Sequence, residues 1–224
     1  WNEAAELARQ HGDPTVEAFA LRGLGDTWLD QADTARAEPL LKRALSVLER
    51  SPSVTPERLA IAIDSLAALY RAENKLQLAE QLWMRELTID RTVVGEDHPQ
   101  TAIVKGRLAD ALSVMGDYDS AKHYAAEAVD SMKSHFGDDS MATGSALVNA
   151  GFVEERANHI EAASRMYEKA YRILRSGGAD AEFLSFIAAR RYSFVLTRLH
   201  RGREAKEIAA QAKALKVAAA FHDK

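Results

Sequence analysis

"LADALSVMGDYDSAKHYAAEAV" (residues 108–129) recurs along the chain in altered form. Laid over it are "LGDTWLDQADTARAEPLLKRAL" (24–45), "LAALYRAENKLQLAEQLWMREL" (66–87), "AGFVEERANHIEAASRMYEKAY" (150–171) and "YSFVLTRLHRGREAKEIAAQAK" (192–213), all starting at one constant interval. Small residues recur at Gly25, Ala67, Ala109, Gly151 and Ser193, and again at Ala37, Ala79, Ala121, Ala163 and Ala205. A fixed period of this length is the mark of a repeat architecture. The spacing has a packing reason. A small residue on one helix and an alanine twelve positions later on the next let two antiparallel helices approach closely, while Trp28, Tyr70, Trp83 and Tyr167 fill the space beside that contact.

Each repeat therefore reads as a helical hairpin, turned at Ala32-Asp33, Asn74-Lys75, Gly116-Asp117, Asn158-His159 and Arg201-Gly202. Composition agrees. Only five prolines interrupt a chain rich in Ala, Leu, Glu, Arg and Lys, and β-branched alternation is almost absent. The expectation is an all-α solenoid, right-handed and superhelical, of antiparallel hairpins: five repeats at about 14–55, 56–98, 99–139, 140–179 and 180–224. They form a single domain over 1–224, led by residues 1–13 as the second helix of a preceding repeat. The sequence begins at Trp1, which suits a processed protein or a fragment of a longer one.

The stretch "TVVGEDHPQTA" (92–102) places His98 beside Glu96 and Asp97, and could be taken for an acid/histidine centre. Register argues for a joint instead. Pro14, Pro56 and Pro99 fall at equivalent places within one residue, where a new first helix should begin, and proline suits a helix's first turn. Acids there are favoured by the helix dipole. The other histidines show no ligand spacing, no glycine-rich phosphate loop is present, and cysteine is absent. Neither catalysis, a cofactor nor a metal is expected. No apolar run approaches the roughly 18 residues of a membrane span, so membrane insertion is not expected and a cytoplasmic location is mildly favoured.

The formal charge of -4 is unevenly placed. The stretch 182–224 carries nine Lys/Arg against four Asp/Glu, and the stretch 1–181 carries 20 against 29. A basic end without a dense basic stripe or interleaved aromatics gives no nucleic-acid signature.

The pairs Leu24-Gly25-x2-Trp28 with Ala37-x3-Leu41, and Leu66-Ala67-x2-Tyr70 with Ala79-x3-Trp83, resemble the tetratricopeptide repeat. The 42-residue period and loop text such as "GEDHPQTA" are similar to its kinesin-light-chain-like subgroup. Repeats three to five depart from the motif, with Leu112, Glu154 and Leu196 at the aromatic position. The resemblance implies a non-catalytic scaffold that binds proteins or peptides in a concave groove lined by the first helices. Its groove positions register here as Arg22, Gly23, Asp26, Leu29 and Asp30; Asp64, Ser65, Ala68 and Arg71; Gly106, Arg107, Asp110 and Val114; Val148, Asn149, Phe152, Glu155 and Arg156; and Arg190, Arg191, Phe194, Thr197 and Arg198.

Repeats four and five stand out. Phe152 and Phe194, one period apart, are ringed by Arg156, Arg190, Arg191 and Arg198, with Asn149 beside them. These seven residues are the peptide-site candidates: arginines for carboxylates, phenylalanines for an apolar anchor, Asn149 for a peptide backbone. The competing reading is internal, with the phenylalanines packed on neighbouring hairpins and the arginines paired to Glu154, Glu155 and Glu182. Some tetratricopeptide domains clamp a chaperone's terminal carboxylate. On repeats three to five that pattern finds Asn149 and Arg191 but meets Gly106, Asp110 and Ile187 elsewhere, so chaperone-tail binding is not expected. Two other roles fit the same repeats: self-association through the apolar ends, where Trp1 and Phe221 lie, and a regulatory sensor region of a larger enzyme or transcription regulator.

Overall fold

The computed structural model describes residues 2–222. These form eleven α-helices and one 3-10 turn, with no strand among the described residues. The helices are α1 (Asn2–His11), α2 (Pro14–Asp30), α3 (Thr34–Arg50), α4 (Pro56–Ala72), α5 (Leu76–Val93), α6 (Pro99–Met115), α7 (Tyr118–Phe136), α8 (Met141–Arg156), α9 (Ile160–Leu174), α10 (Glu182–Arg198) and α11 (Gly202–His222). Hairpins α2/α3, α4/α5, α6/α7, α8/α9 and α10/α11 are the most extensive packing pairs. The fold class is the all-α helical-repeat solenoid. Trp1 and the side chains of the closing stretch from 216 onward, Phe221 among them, lie outside the described residues.

One left-handed residue turns every hairpin. Ala32, Asn74, Gly116, Asn158 and His200 have φ of 58°, 58°, 90°, 63° and 58°, and they recur at the interval of the sequence repeat. In the last turn the left-handed residue precedes the expected Arg201-Gly202 pair. The amide after each reaches five residues back, as in Asp33 N–H to the Trp28 carbonyl (2.9 Å) and Arg201 N–H to Leu196 (3.0 Å), which satisfies the carbonyls a helix end would leave open.

Between hairpins the joints are capped. Pro14, Pro56 and Pro99 open α2, α4 and α6, and the Asp13 and Ser140 side chains accept backbone N–H groups of α2 and α8. His98 belongs to this set. Its Nδ1 accepts the Gln100 N–H at 3.2 Å, and its ring meets His135 edge-on at 5.7 Å.

The small-residue columns are where the hairpins close. Ala37, Ala79, Ala121 and Ala163 are fully buried and Ala205 nearly so. A Cβ on Gly151 would lie 2.5 Å from the Tyr167 ring, and one on Gly25 2.6 Å from Leu41, so larger residues at these places would force the hairpin open. At Ser193 the column keeps an oxygen, which donates to the Ala205 carbonyl at 2.8 Å.

Packing divides the chain into two compact units, Trp1–Glu96 and Asp97–Lys224. In the first, α1 packs on α2 and the hairpins α2/α3 and α4/α5 stack through α3 and α4. The second holds repeats three to five. There α7 packs on α8 and α9 on α10, while the first helices α6, α8 and α10 touch in sequence along one side.

Candidate functional site

The first helices of the second unit each carry large apolar groups in a line along their length. Ile103 and Val114 on α6, Met141 and Phe152 on α8, and Phe183 and Phe194 on α10 are pairs eleven positions apart. That separation is close to three helical turns, so each pair sits on one line along its helix, roughly 16 Å apart. Phe183 is 67% exposed and Phe194 50%, with Ile103, Val114 and Met141 just below half. Five large apolar side chains on these three helices are therefore open to solvent.

At the C-terminal end of these helices the arginines are organised by internal partners. Arg191 stacks 4.8 Å over the Phe152 ring, Phe152 meets Tyr167 edge-on at 5.8 Å, the Tyr167 hydroxyl donates to Glu155 at 2.8 Å, and Arg191 reaches the same carboxylate at 3.3 Å. The four side chains close a ring that ties α8, α9 and α10 together. Burial and the adjacent Glu155 charge push the Tyr167 hydroxyl well above the usual phenol range, so it stays a donor. Arg156 donates to Asp110 (2.8 Å) and to the Ser113 hydroxyl (2.9 Å) on α6, and Arg198 donates to the Asn158 side-chain amide oxygen (Oδ1) at 2.7 Å.

All seven sequence candidates thus lie on α8 and α10, but in two different states. Phe152, Arg156, Arg191 and Arg198 are engaged within the fold. Asn149, Arg190 and Phe194 are exposed, and Arg190 makes no hydrogen bond or ion pair among the described residues. Asn149 sits across from Gly106, where an added Cβ would be 3.8 Å from its Nδ2. Val148 and Gly106, registered as groove positions, are buried. Sequence reasoning passed over Ile103, Met141 and Phe183. Their signal was present: Met141 and Phe183 are one repeat apart, three turns before Phe152 and Phe194 on the same stripe.

Among the described residues no group of three or more His, Asp or Glu side chains is placed to hold a metal ion, and no helix is long and apolar enough to cross a membrane.

A family model described as the tetratricopeptide repeat matches residues 58–134 and 106–176, together more than half of the chain. The chain belongs to the tetratricopeptide-repeat family. It is 33% identical over 72 residues to rat tetratricopeptide repeat protein 19, mitochondrial; the match covers 32% of this chain and about a fifth of that protein's length (20%). Its structure is similar to that of BtubC (BKLC) from P. vanneervenii, with a TM-score of 0.84 at 20% identity over 97% of this chain and 88% of that one. It is also similar to the Rap conjugation gene regulator of the plasmid pLS20 in complex with the Phr* peptide, with a TM-score of 0.74 at 16% identity over 96% of this chain and 57% of that one. At these identities the likeness is one of fold. A tetratricopeptide scaffold of this kind serves protein–protein interaction.

Proposed function

We propose that the chain binds an extended segment of a partner protein along the first-helix face of α6, α8 and α10. The carrying observation is the set of exposed apolar side chains on these helices, above all Phe183 and Phe194, which lie three turns apart on α10. A segment in extended conformation covers about 3.3 Å per residue, so two apolar anchors about five residues apart would reach both phenylalanines. Arg190 lies between them in sequence and is exposed, which favours an acidic group between the anchors. The peptide complex of the Rap regulator, similar in fold, supports a peptide as the class of ligand. The ring of Arg191, Phe152, Tyr167 and Glu155 holds the face rigid, so little ordering cost falls on binding.

The test is a display screen of proteome-derived peptides against the chain and against a folded Phe183→Asp/Phe194→Asp variant. A shared motif enriched by the first and lost by the second supports the reading. Equal enrichment by both, or none by either, overturns it.

A further inference from the structure

On the side of the second unit formed by α7, α8 and α9 lies a cavity of about 240 Å³. Its apolar wall is Ala125 and Val129 from α7, Leu147, Ala150 and Val153 from α8, and Met166 from α9. The repeat register explains why it is there. One column reads Trp83, Ala125, Tyr167; a second reads Leu87, Val129, Tyr171; a third reads Leu108, Ala150, Tyr192. In each column the residues before and after are large and buried: Trp83, Leu87, Leu108 and Tyr167 are at most 1% exposed, Tyr171 and Tyr192 under 8%. The middle member is the smallest of each three, and the first column is small again at Ala209. Three reductions in side-chain size meet at this cavity.

The mouth carries Lys122, Lys133, Asp130 and Glu154. Asp130 lies 3.6 Å from Lys133 and Glu154 2.7 Å from His159, so both acids are already partnered. Lys122 pairs at 3.1 Å with Asp119, a side chain 97% exposed and easily exchanged for another anion.

We propose that this cavity is a binding site for a small aromatic carboxylate of indole size, its ring replacing the side chain the middle repeat lacks and its carboxylate beside Lys122. Apolar cavities of ~150 Å³ take up a benzene-sized guest, so the volume suffices. The site is separate from the α6/α8/α10 face and does not depend on it.

The experiment is a titration of methyl-labelled protein with indole-3-propionate, read at the Val129, Leu147, Val153 and Met166 methyls. Saturable shifts at these methyls below about 1 mM, with the Ile103 and Met141 methyls of the α6/α8/α10 face unmoved, are expected. Ala125→Trp should weaken binding at least tenfold and raise the melting temperature by filling the space. Ala150→Leu, a smaller filling, serves the same purpose if Ala125→Trp does not fold. Lys122→Gln should weaken indole-3-propionate several-fold and leave indole itself unchanged. Absence of saturable methyl shifts in the wild type, or shifts that persist undiminished in a folded filled variant, overturns the site. Equal loss for indole and the carboxylate in Lys122→Gln overturns the role of Lys122.

Discussion

Phe152 and Phe194 occupy the same place in successive repeats, yet they do different work. Phe152 lies between Tyr167 and Arg191, half-buried and held on both sides. Phe194 is half exposed, with no following first helix among the described residues to lay an arginine on it. The column continues toward the N-terminus as Asp110, Ala68 and Asp26. Asp110 has become the acceptor for Arg156, and Asp26 pairs with Arg22 at 2.7 Å. A position in a repeat thus fixes where a side chain points, and the neighbouring repeat decides whether it serves the fold or a partner.

The sharpest break of this contrast is truncation. Phe152→Ala should cost about 2–3 kcal/mol of stability, and Phe194→Ala no more than about 0.5 kcal/mol, measured by urea unfolding; similar losses would erase the distinction. Gly151→Ala, which drives a methyl into the Tyr167 ring beneath Phe152, should cost about 2 kcal/mol by the same measurement. For peptide affinity the order reverses: Phe194→Ala should weaken a screened peptide about tenfold, or roughly 1.4 kcal/mol, in calorimetry, while Arg203→Glu on α11, whose side chain is 96% exposed, should not. Tyr167→Phe removes one donor from Glu155 and should cost about 1 kcal/mol.

The smallest effect concerns Asp26, the acidic member of the column. Burial, with the charges of Asp30 and Asp64, holds its carboxyl above the usual carboxylate range despite Ser65 and Arg22. A raised folded-state value means the native protein binds this proton more tightly than the unfolded chain. The stabilising contribution is therefore full below the unfolded value and fades as pH rises through the folded one. Asp26→Asn should be slightly more stable than wild type at neutral pH, and the gap should close on acidification, as thermal melts across the acid range would register.

The period was legible because close helix approach admits few residues: the columns at Gly25 and Ala37 repeat for steric reasons, and they gave the hairpins, the turns and the joint at His98. The site was legible only in part. Register could place Phe152 and Phe194 on one face, but it could not tell that Arg191 would cross to α8 and engage Phe152 and Glu155, since that depends on side-chain geometry between repeats. Met141 and Phe183 escaped notice because helix starts look like joints in sequence, while their exposure emerges only once the first helices lie side by side. The three reductions at Ala125, Val129 and Ala150 were each ordinary alone; their convergence is a fact of three dimensions.

The left-handed residue that turns every hairpin also bears on how the chain is made. With helices returning on their predecessors once in every repeat, the principal contacts join elements one or two places apart. Such local topology has low contact order, which goes with rapid folding and lets a nucleus arise in more than one hairpin. A growing chain can therefore close each hairpin soon after its second helix emerges.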